Sequence, residues 1–230
     1  MRLKRLVIIP ARKGSKRFPD KNLFNLCGTP LIMRTIQIVD GLFDKIIVTS
    51  DSDRILSVAS LHDYESEVEL LRRPEELATD TSKVLETVCY YFEKYRTGFS
   101  QIWLCLPTCP LRNKEDIKAA QELLTEEIDS VISITNYEFP PTLGLLKDSK
   151  GFIKDYDLRQ PWQNGNSRSQ DHETIYRPNG ALYGSWCDSF NENRNYYKGK
   201  VKGYLMPRER SIDIDTKLDI KICESLLDKK

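Results

Sequence analysis

From Ile8 to Asn22 the chain reads Ile-Ile-Pro-Ala-Arg-Lys-Gly-Ser-Lys-Arg-Phe-Pro-Asp-Lys-Asn, so five cationic side chains, Arg12, Lys13, Lys16, Arg17 and Lys21, follow an apolar β-branched run. Leu6 to Ile9 predict a buried strand, Pro10 ends it, and Gly14 lets the backbone turn close to a ligand. A triphosphate held there meets amide N–H groups and the charged heads of Arg12, Lys16 and Lys21 together. Positive charge placed where a departing pyrophosphate gathers its own charge is a strong lever in phosphoryl and nucleotidyl transfer. A charge run is also the ordinary composition of a solvated loop. Its place directly after an N-terminal strand favours a site, because ligands of open α/β sheets bind beyond the carboxyl ends of strands. The spacing fits neither G-x-x-x-x-G-K-[ST] nor G-x-G-x-x-G, so neither a P-loop NTPase nor a dinucleotide-dependent oxidoreductase is indicated.

A second pattern lies near the other end, where Asp213 and Asp215 alternate with Ile212 and Ile214. On an extended segment both carboxylates face one side and both isoleucines the core. Two carboxylates on one face form a hard-oxygen site for Mg²⁺, which takes its remaining ligands from water and substrate phosphates. Paired acid/base catalysis and an ordinary surface strand are the other uses of the same pattern. Asp219 stands one turn further on, where it can cap the last helix.

Positioning these groups requires a sheet. Strand patterns fall at Leu6 to Ile9, Lys45 to Thr49, Val68 to Arg72, Ile102 to Leu106 and Ser130 to Thr135. Helical patterns lie between them at Leu31 to Val39, Asp53 to Leu61, Ser82 to Arg96 and Lys114 to Glu127. The alternation predicts an α/β fold with parallel pairing and helices on both faces. After Glu138 the rhythm breaks into a region rich in Pro, Gly, Asn, Ser and Gln that runs to Asp171, in which Leu143 to Leu146 and Gly151 to Asp155 can pair as a hairpin. Strands at Gly180 to Ser185 and Val201 to Leu205 and a closing helix at Lys217 to Leu227 complete the chain.

The cationic segment resembles the I-P-A-R-x-G-S-K…K-N signature of the acylneuraminate (sialic acid) cytidylyltransferases. Three later segments resemble that family in the same order: Arg73-Pro74-Glu75-Glu76-Leu77-Ala78-Thr79-Asp80, Tyr176-Arg177-Pro178-Asn179-Gly180-Ala181-Leu182-Tyr183, and Asp213-Ile214-Asp215-Thr216 with Asp219. The resemblance implies a three-layer, nucleotide-diphospho-sugar-transferase-like (Rossmann-like) fold with a mixed, mainly parallel sheet. It implies one cytidylyltransferase domain over residues 1–230, with 138–175 as an arm that forms a homodimer and reaches the neighbouring subunit's site. The implied reaction joins CTP to a 2-keto-3-deoxy nonulosonic acid, sialic acid or a relative such as legionaminic acid, giving a CMP-sugar and pyrophosphate. The same chemistry on an eight-carbon keto acid, or a non-catalytic nucleotide-binding regulator of the same fold, are the rival readings.

By that resemblance Arg12, Gly14, Ser15, Lys16, Lys21 and Asn22 hold the triphosphate, Asp213 and Asp215 hold Mg²⁺, and Arg73, Thr81 and Ser82 meet the nucleoside. Thr81 or Ser82 can equally cap the following helix. Leu106, Arg168, Gln170, Asn179, Tyr183, Tyr196 and Tyr197 fall where the family binds its sugar. An arginine fork suits a carboxylate, and aromatics can wall an acyl pocket. Leu106-Pro107-Thr108-Cys109-Pro110-Leu111-Arg112 departs from the family's L-Q-P-T-S-P-L-R at two places: Leu106 stands for a glutamine that contacts the acidic sugar, and Cys109 for serine. Loss of a side-chain amide makes the sugar site less polar there.

The 230 residues carry 35 Lys plus Arg against 34 Asp plus Glu, so any cationic site is local and nonspecific nucleic-acid binding is not expected. The apolar run after MRLKR is too short for a secretory signal and no stretch approaches a membrane helix, which predicts a cytoplasmic protein. The six cysteines form no C-x-x-C pair and are expected to be reduced.

Overall fold

The computed structural model describes residues 3–14 and 18–227. In chain order the strands and helices are β1 (Arg5–Pro10), β2 (Asn25–Leu26), β3 (Thr29–Pro30), α1 (Leu31–Val39), β4 (Lys45–Ser50), α2 (Asp53–Ala59), β5 (Glu67–Arg72), α3 (Val84–Tyr95) and β6 (Gln101–Leu104). They continue with α4 (Lys114–Leu123), β7 (Ser130–Asn136), β8 (Leu145–Lys147), β9 (Ile153–Asp155), β10 (Tyr176–Trp186), α5 (Cys187–Asn193), β11 (Val201–Leu205) and α6 (Lys217–Leu227). Seven strands form one sheet in the order β11-β7-β10-β6-β1-β4-β5. All neighbours are parallel except β10, which runs antiparallel to both β6 and β7.

Residue alternation builds the layers. Val7 and Ile9 of β1, Ile46 and Val48 of β4 and Trp103 of β6 face the apolar sides of α1, α2 and α4. Leu6, Ile8, Ile47, Ile102 and Leu104 face the other way, onto Val88, Tyr91 and Phe92 of α3 and Phe190 of α5. Strands buried on both faces give the near-continuous apolar runs from which the central sheet is legible. A smaller cluster seats α6 through Ile220 and Cys223 against Leu26, Leu31, Leu111 and Ile214.

Several boundaries differ from expectation. The strand expected to run to Leu106 ends at Leu104, because the chain turns toward Pro107, although the Cys105 amide still donates to Ile8 O at 3.1 Å. The helix expected from Ser82 begins at Val84, and those expected to reach Leu61 and Glu127 end at Ala59 and Leu123. β10 starts at Tyr176 rather than Gly180, with a register shift between Pro178 and Tyr183 where Gly180 takes φ +80°. β8 and β9 pair antiparallel as a hairpin that forms a two-stranded sheet of its own. This arm exposes large apolar side chains, with Phe152 at 72% and Leu158 at 98%. All six cysteines are free, and no helix among the described residues is long and apolar enough to cross a membrane.

Candidate active site

β1 pairs with β4 on one side and β6 on the other, and the chain winds outward in opposite directions from that point. Such a switch opens a crevice at the carboxyl ends of the strands. Here it is a cleft of about 400 Å³. Pro10, Arg12, Gly14, Lys21 and Asn22 line it from the end of β1, Arg73 from the end of β5, Ser82, Lys83, Val84 and Thr87 from the start of α3, Leu106, Pro107 and Thr108 from the end of β6, and Asp215 from the C-terminal segment.

The β1 loop is braced from both walls. The Lys13 amide donates to Asp51 Oδ1 at 2.7 Å, and Asn22 Nδ2 donates to Arg12 O at 2.9 Å. Arg12 reaches across the cleft to Thr79 O at 3.3 Å and Asp80 at 3.5 Å. Arg73 is only 5% exposed, donates to Thr49 O at 2.9 Å, and has its Nε without a partner among the described residues. Burial lowers its pKa, the nearby Arg12 lowers it further, and Asp51 opposes both. Two guanidinium groups crowded at one cleft are stabilised by an anion between them.

The carboxylates meet this cationic wall through Lys21, whose Nζ donates to Ile214 O and to Asp215 Oδ1 at 3.1 Å. Ile214 is fully buried, and its amide donates to Thr108 O at 2.8 Å, pinning the segment to the loop after β6. Asp213 is solvent-accessible but crowded by protein on one side. That crowding raises its pKa, as does the neighbouring Asp215, while a hydrogen bond from Thr108 and the charges of Lys21 and Arg177 lower it. Asp219 turns away to cap α6, accepting from the Asp215 and Thr216 amides at 3.0 and 2.7 Å.

Beside the cleft lies an apolar cavity of about 300 Å³ lined by Val84, Leu85, Leu104, Leu106, Tyr183, Asn195, Tyr196 and Tyr197. Val84 and Leu106 belong to both spaces, so Leu106 stands at their junction. The Tyr183 ring packs 5.8 Å from Tyr196 and 6.2 Å from Tyr197, and burial raises the Tyr183 pKa.

Of the residues named from sequence, Arg12, Gly14, Lys21, Asn22, Arg73, Ser82, Leu106 and Asp215 line the main cleft, with Asp213 beside Thr108, and Tyr183, Tyr196 and Tyr197 line the adjoining cavity. Ser15 and Lys16 lie outside the described residues. Thr81 turns its hydroxyl to Thr79 at 3.2 Å and is not part of the cleft lining. Arg168 and Gln170 are exposed on the arm, where Arg168 pairs with Asp171 at 3.7 Å, and they do not line their own chain's cleft. Asn179 is 1% exposed and faces the interior. Tyr196 is mainly a core residue, with one edge on the cavity. Sequence reasoning passed over Thr108, which binds both the Asp213 carboxyl and the Ile214 amide; its signal was its place between Leu106 and Cys109, the two departures that drew attention. Cys109 is fully buried, its thiol pushed up to about 12, and so is no nucleophile at neutral pH.

A mixed, mostly parallel seven-stranded sheet layered with helices, with a cleft at its switch point, is the Rossmann-like architecture of nucleotidyltransferases. The chain belongs to the cytidylyltransferase family, whose model matches residues 6–183. It is 34% identical over 229 residues to the CMP-N,N'-diacetyllegionaminic acid synthase of Legionella pneumophila, covering 97% of this chain and 96% of that protein. It is 32% identical over 222 residues to the N-acylneuraminate cytidylyltransferase of Streptococcus agalactiae, covering 94% of this chain but 52% of that protein, so the chain spans about half the length of that relative. The solved structure of CMP:2-keto-3-deoxy-manno-octonic acid synthetase complexed with CTP superposes with a TM-score of 0.67 over 98% of this chain and 99% of that one, and at 13% identity the likeness is one of fold.

Proposed function

We propose that this chain transfers the cytidylyl group of CTP to a nine-carbon 2-keto-3-deoxy acid sugar, releasing pyrophosphate. The observation that carries the reading is the convergence of Arg12, Lys21 and Arg73 with Asp215 in one cleft at the switch point of a cytidylyltransferase fold. The sugar's anomeric hydroxyl attacks the α-phosphorus and releases its proton to water, the bond from the α-phosphorus to the β-phosphate's bridging oxygen breaks, and the departing pyrophosphate collects its charge against Arg12 and Lys21. Positioning and charge stabilisation account for this class of transfer without a covalent enzyme intermediate. Arg73 and Ser82 line the same cleft, and in this reading they meet the nucleoside.

Asp213 and Asp215 fit a Mg²⁺ ion, because two carboxylates two residues apart, one of them lining the cleft, offer the few hard protein oxygens that a magnesium site takes. Substrate phosphates and water would complete its coordination. When bound, the ion would neutralise charge on the transferring phosphate.

The sugar is assigned to the apolar cavity beside Leu106. A hydroxyl or amide aimed at a leucine finds no partner, and an unsatisfied polar group costs about 1 to 3 kcal/mol. A dideoxy sugar of the legionaminic type loses less there than N-acetylneuraminate, and the name of the Legionella relative supports the same choice. The protein is further proposed to be a cytoplasmic homodimer joined through residues 138–175.

Pyrophosphate release in the presence of CTP, Mg²⁺ and a panel of keto acid sugars tests the reading. Legionaminic acid is expected to compete at least equally with N-acetylneuraminate, and Leu106→Gln to shift the balance toward the latter. Turnover on eight-carbon keto acids alone, or none on any sugar, overturns it.

A further inference from the structure

Asn179 occupies a position where a sugar contact is expected, yet no atom of its carboxamide remains for a ligand. The bulge at Gly180 draws β10 away from its neighbour, and Asn179 and Ser133 fill the gap, 1% and 0% exposed. Asn179 Oδ1 accepts from Ser133 Oγ at 2.6 Å and from the Ala181 amide at 3.1 Å. Nδ2 donates to Ser211 Oγ at 2.9 Å and meets Met206 Sδ at 3.2 Å. Two donors and two acceptor sites are all that an asparagine side chain has. Because a backbone N–H can only donate, the Ala181 contact also fixes which end of the amide is oxygen.

The partner Ser211 lies two residues before Asp213 and four before Asp215. It is 1% exposed, and its hydroxyl donates to Pro207 O at 2.9 Å, so it must accept from Asn179. The segment is pinned again at Ile214, whose amide donates to Thr108 O at 2.8 Å. Asp213 is therefore strung between two buried anchors, one on β10 and one on the loop after β6. A carboxylate on an irregular segment has no helix or strand to hold its direction, and these anchors supply one.

We propose that Asn179 is a positioning residue for the Asp213 and Asp215 carboxylates, acting through Ser211, and not a sugar contact. The inference rests on the reading of those two aspartates as the metal-holding pair. Asn179→Asp keeps the size but places an acceptor opposite a hydroxyl whose proton is committed to Pro207 O; Ser211→Ala removes the same bond from the other end and carries the test should the first variant fail to fold.

Mn²⁺ binding by electron paramagnetic resonance, with CTP present and no sugar, gives a readout independent of turnover. Both variants are expected to weaken Mn²⁺ by at least about tenfold and to lower kcat by a similar factor, the scale of losing a residue that orients a metal ligand, while sugar KM stays within about twofold. The double variant is expected to be little worse than the poorer single one, because both break one bond. A raised sugar KM with Mn²⁺ affinity intact would make Asn179 a sugar contact after all, and unaltered Mn²⁺ affinity and kcat would reduce it to packing. Asp215→Asn separates the two layers: normal Mn²⁺ binding in that variant removes the metal reading itself, whereas loss there with normal binding in Asn179→Asp and Ser211→Ala removes only the positioning role.

Discussion

Lys21 joins the two halves of the chemistry, because one ammonium bridges the cationic loop after β1 and the Ile214-Asp215 segment almost two hundred residues later, with its Nζ 3.1 Å from Asp215. The sequence shows both ends of this contact as separate charge patterns; only the fold shows that they meet. Lys21→Glu therefore does two things, placing like charge against the triphosphate and a third carboxylate beside Asp213 and Asp215. Calorimetry is expected to find CTP affinity lowered by at least about 100-fold, with the deficit greatest at low ionic strength where charges are least screened. CTP affinity equal to that of the unmodified protein would detach Lys21 from the nucleotide. Leu106 was readable as a departure from a family pattern, but its place at the junction of cleft and cavity was not, since that depends on Val84 from α3 coming to the same point. Asn179 shows the same limit. A short polar residue in a segment that borders a pocket reads as a contact, and a sequence does not show that the Gly180 bulge turns it inward.

Elements rather than single residues hold the carboxylate segment in place. α4 contributes Asp116, whose side chain is completely buried and accepts two hydrogen bonds from Arg210, at 2.9 and 2.8 Å, and one from Tyr204 Oη at 2.9 Å. The same carboxylate accepts from the Asn113 amide at 2.9 Å, so one group closes the N-terminus of α4 and anchors the strap that leads to Ser211. Burial alone would raise the Asp116 pKa, but the bonds from Arg210, Asn113 and Tyr204 outweigh it and leave the pKa below the ordinary value. A carboxylate whose pKa is depressed on folding adds stability above its unfolded pKa, near 3.9, and loses it as pH falls through the lower folded value. Urea unfolding should find Asp116→Asn less stable at neutral pH by about 3 kcal/mol, as for a broken buried pair, with the gap closing on acidification below about pH 4. A gap that persists unchanged at the lowest pH at which the protein folds would show that shape, not charge, holds the strap. Elements were most legible where apolar residues are buried on both faces, as in β1 and β4. α5 was missed because Cys187-Asp188 follows directly on β10 with no glycine or proline to mark the change.

At the scale of the whole molecule the arm is the part whose sequence and surroundings disagree most. Phe152 and Ile153 are exposed on a small two-stranded hairpin and Tyr156 and Leu158 just after it, and isolated hairpins gain little stability without a packed face. Arg168 and Gln170 lie on the same arm and do not line their own chain's cleft, although their types suit a sugar carboxylate. Both observations are met if the arm covers the cleft of a second copy, as the family resemblance implies. A two-fold pair would then exchange arms, each site taking its metal carboxylates from one subunit and Arg168 from the other. The consequence is a complementation that no monomeric site can give. Arg168→Ala and Asp215→Asn are each expected to be nearly inactive alone. Mixed and allowed to exchange subunits, they form hybrid dimers with one intact site and one doubly damaged site, so statistical exchange should restore about a quarter of full activity. Light scattering of the unmodified chain should accompany the assay and give twice its 26.7 kDa mass. Activity that stays at the level of the separate variants after verified exchange would place Arg168 in its own subunit's site or outside the reaction, and a monomeric mass would remove the arm's role in pairing altogether.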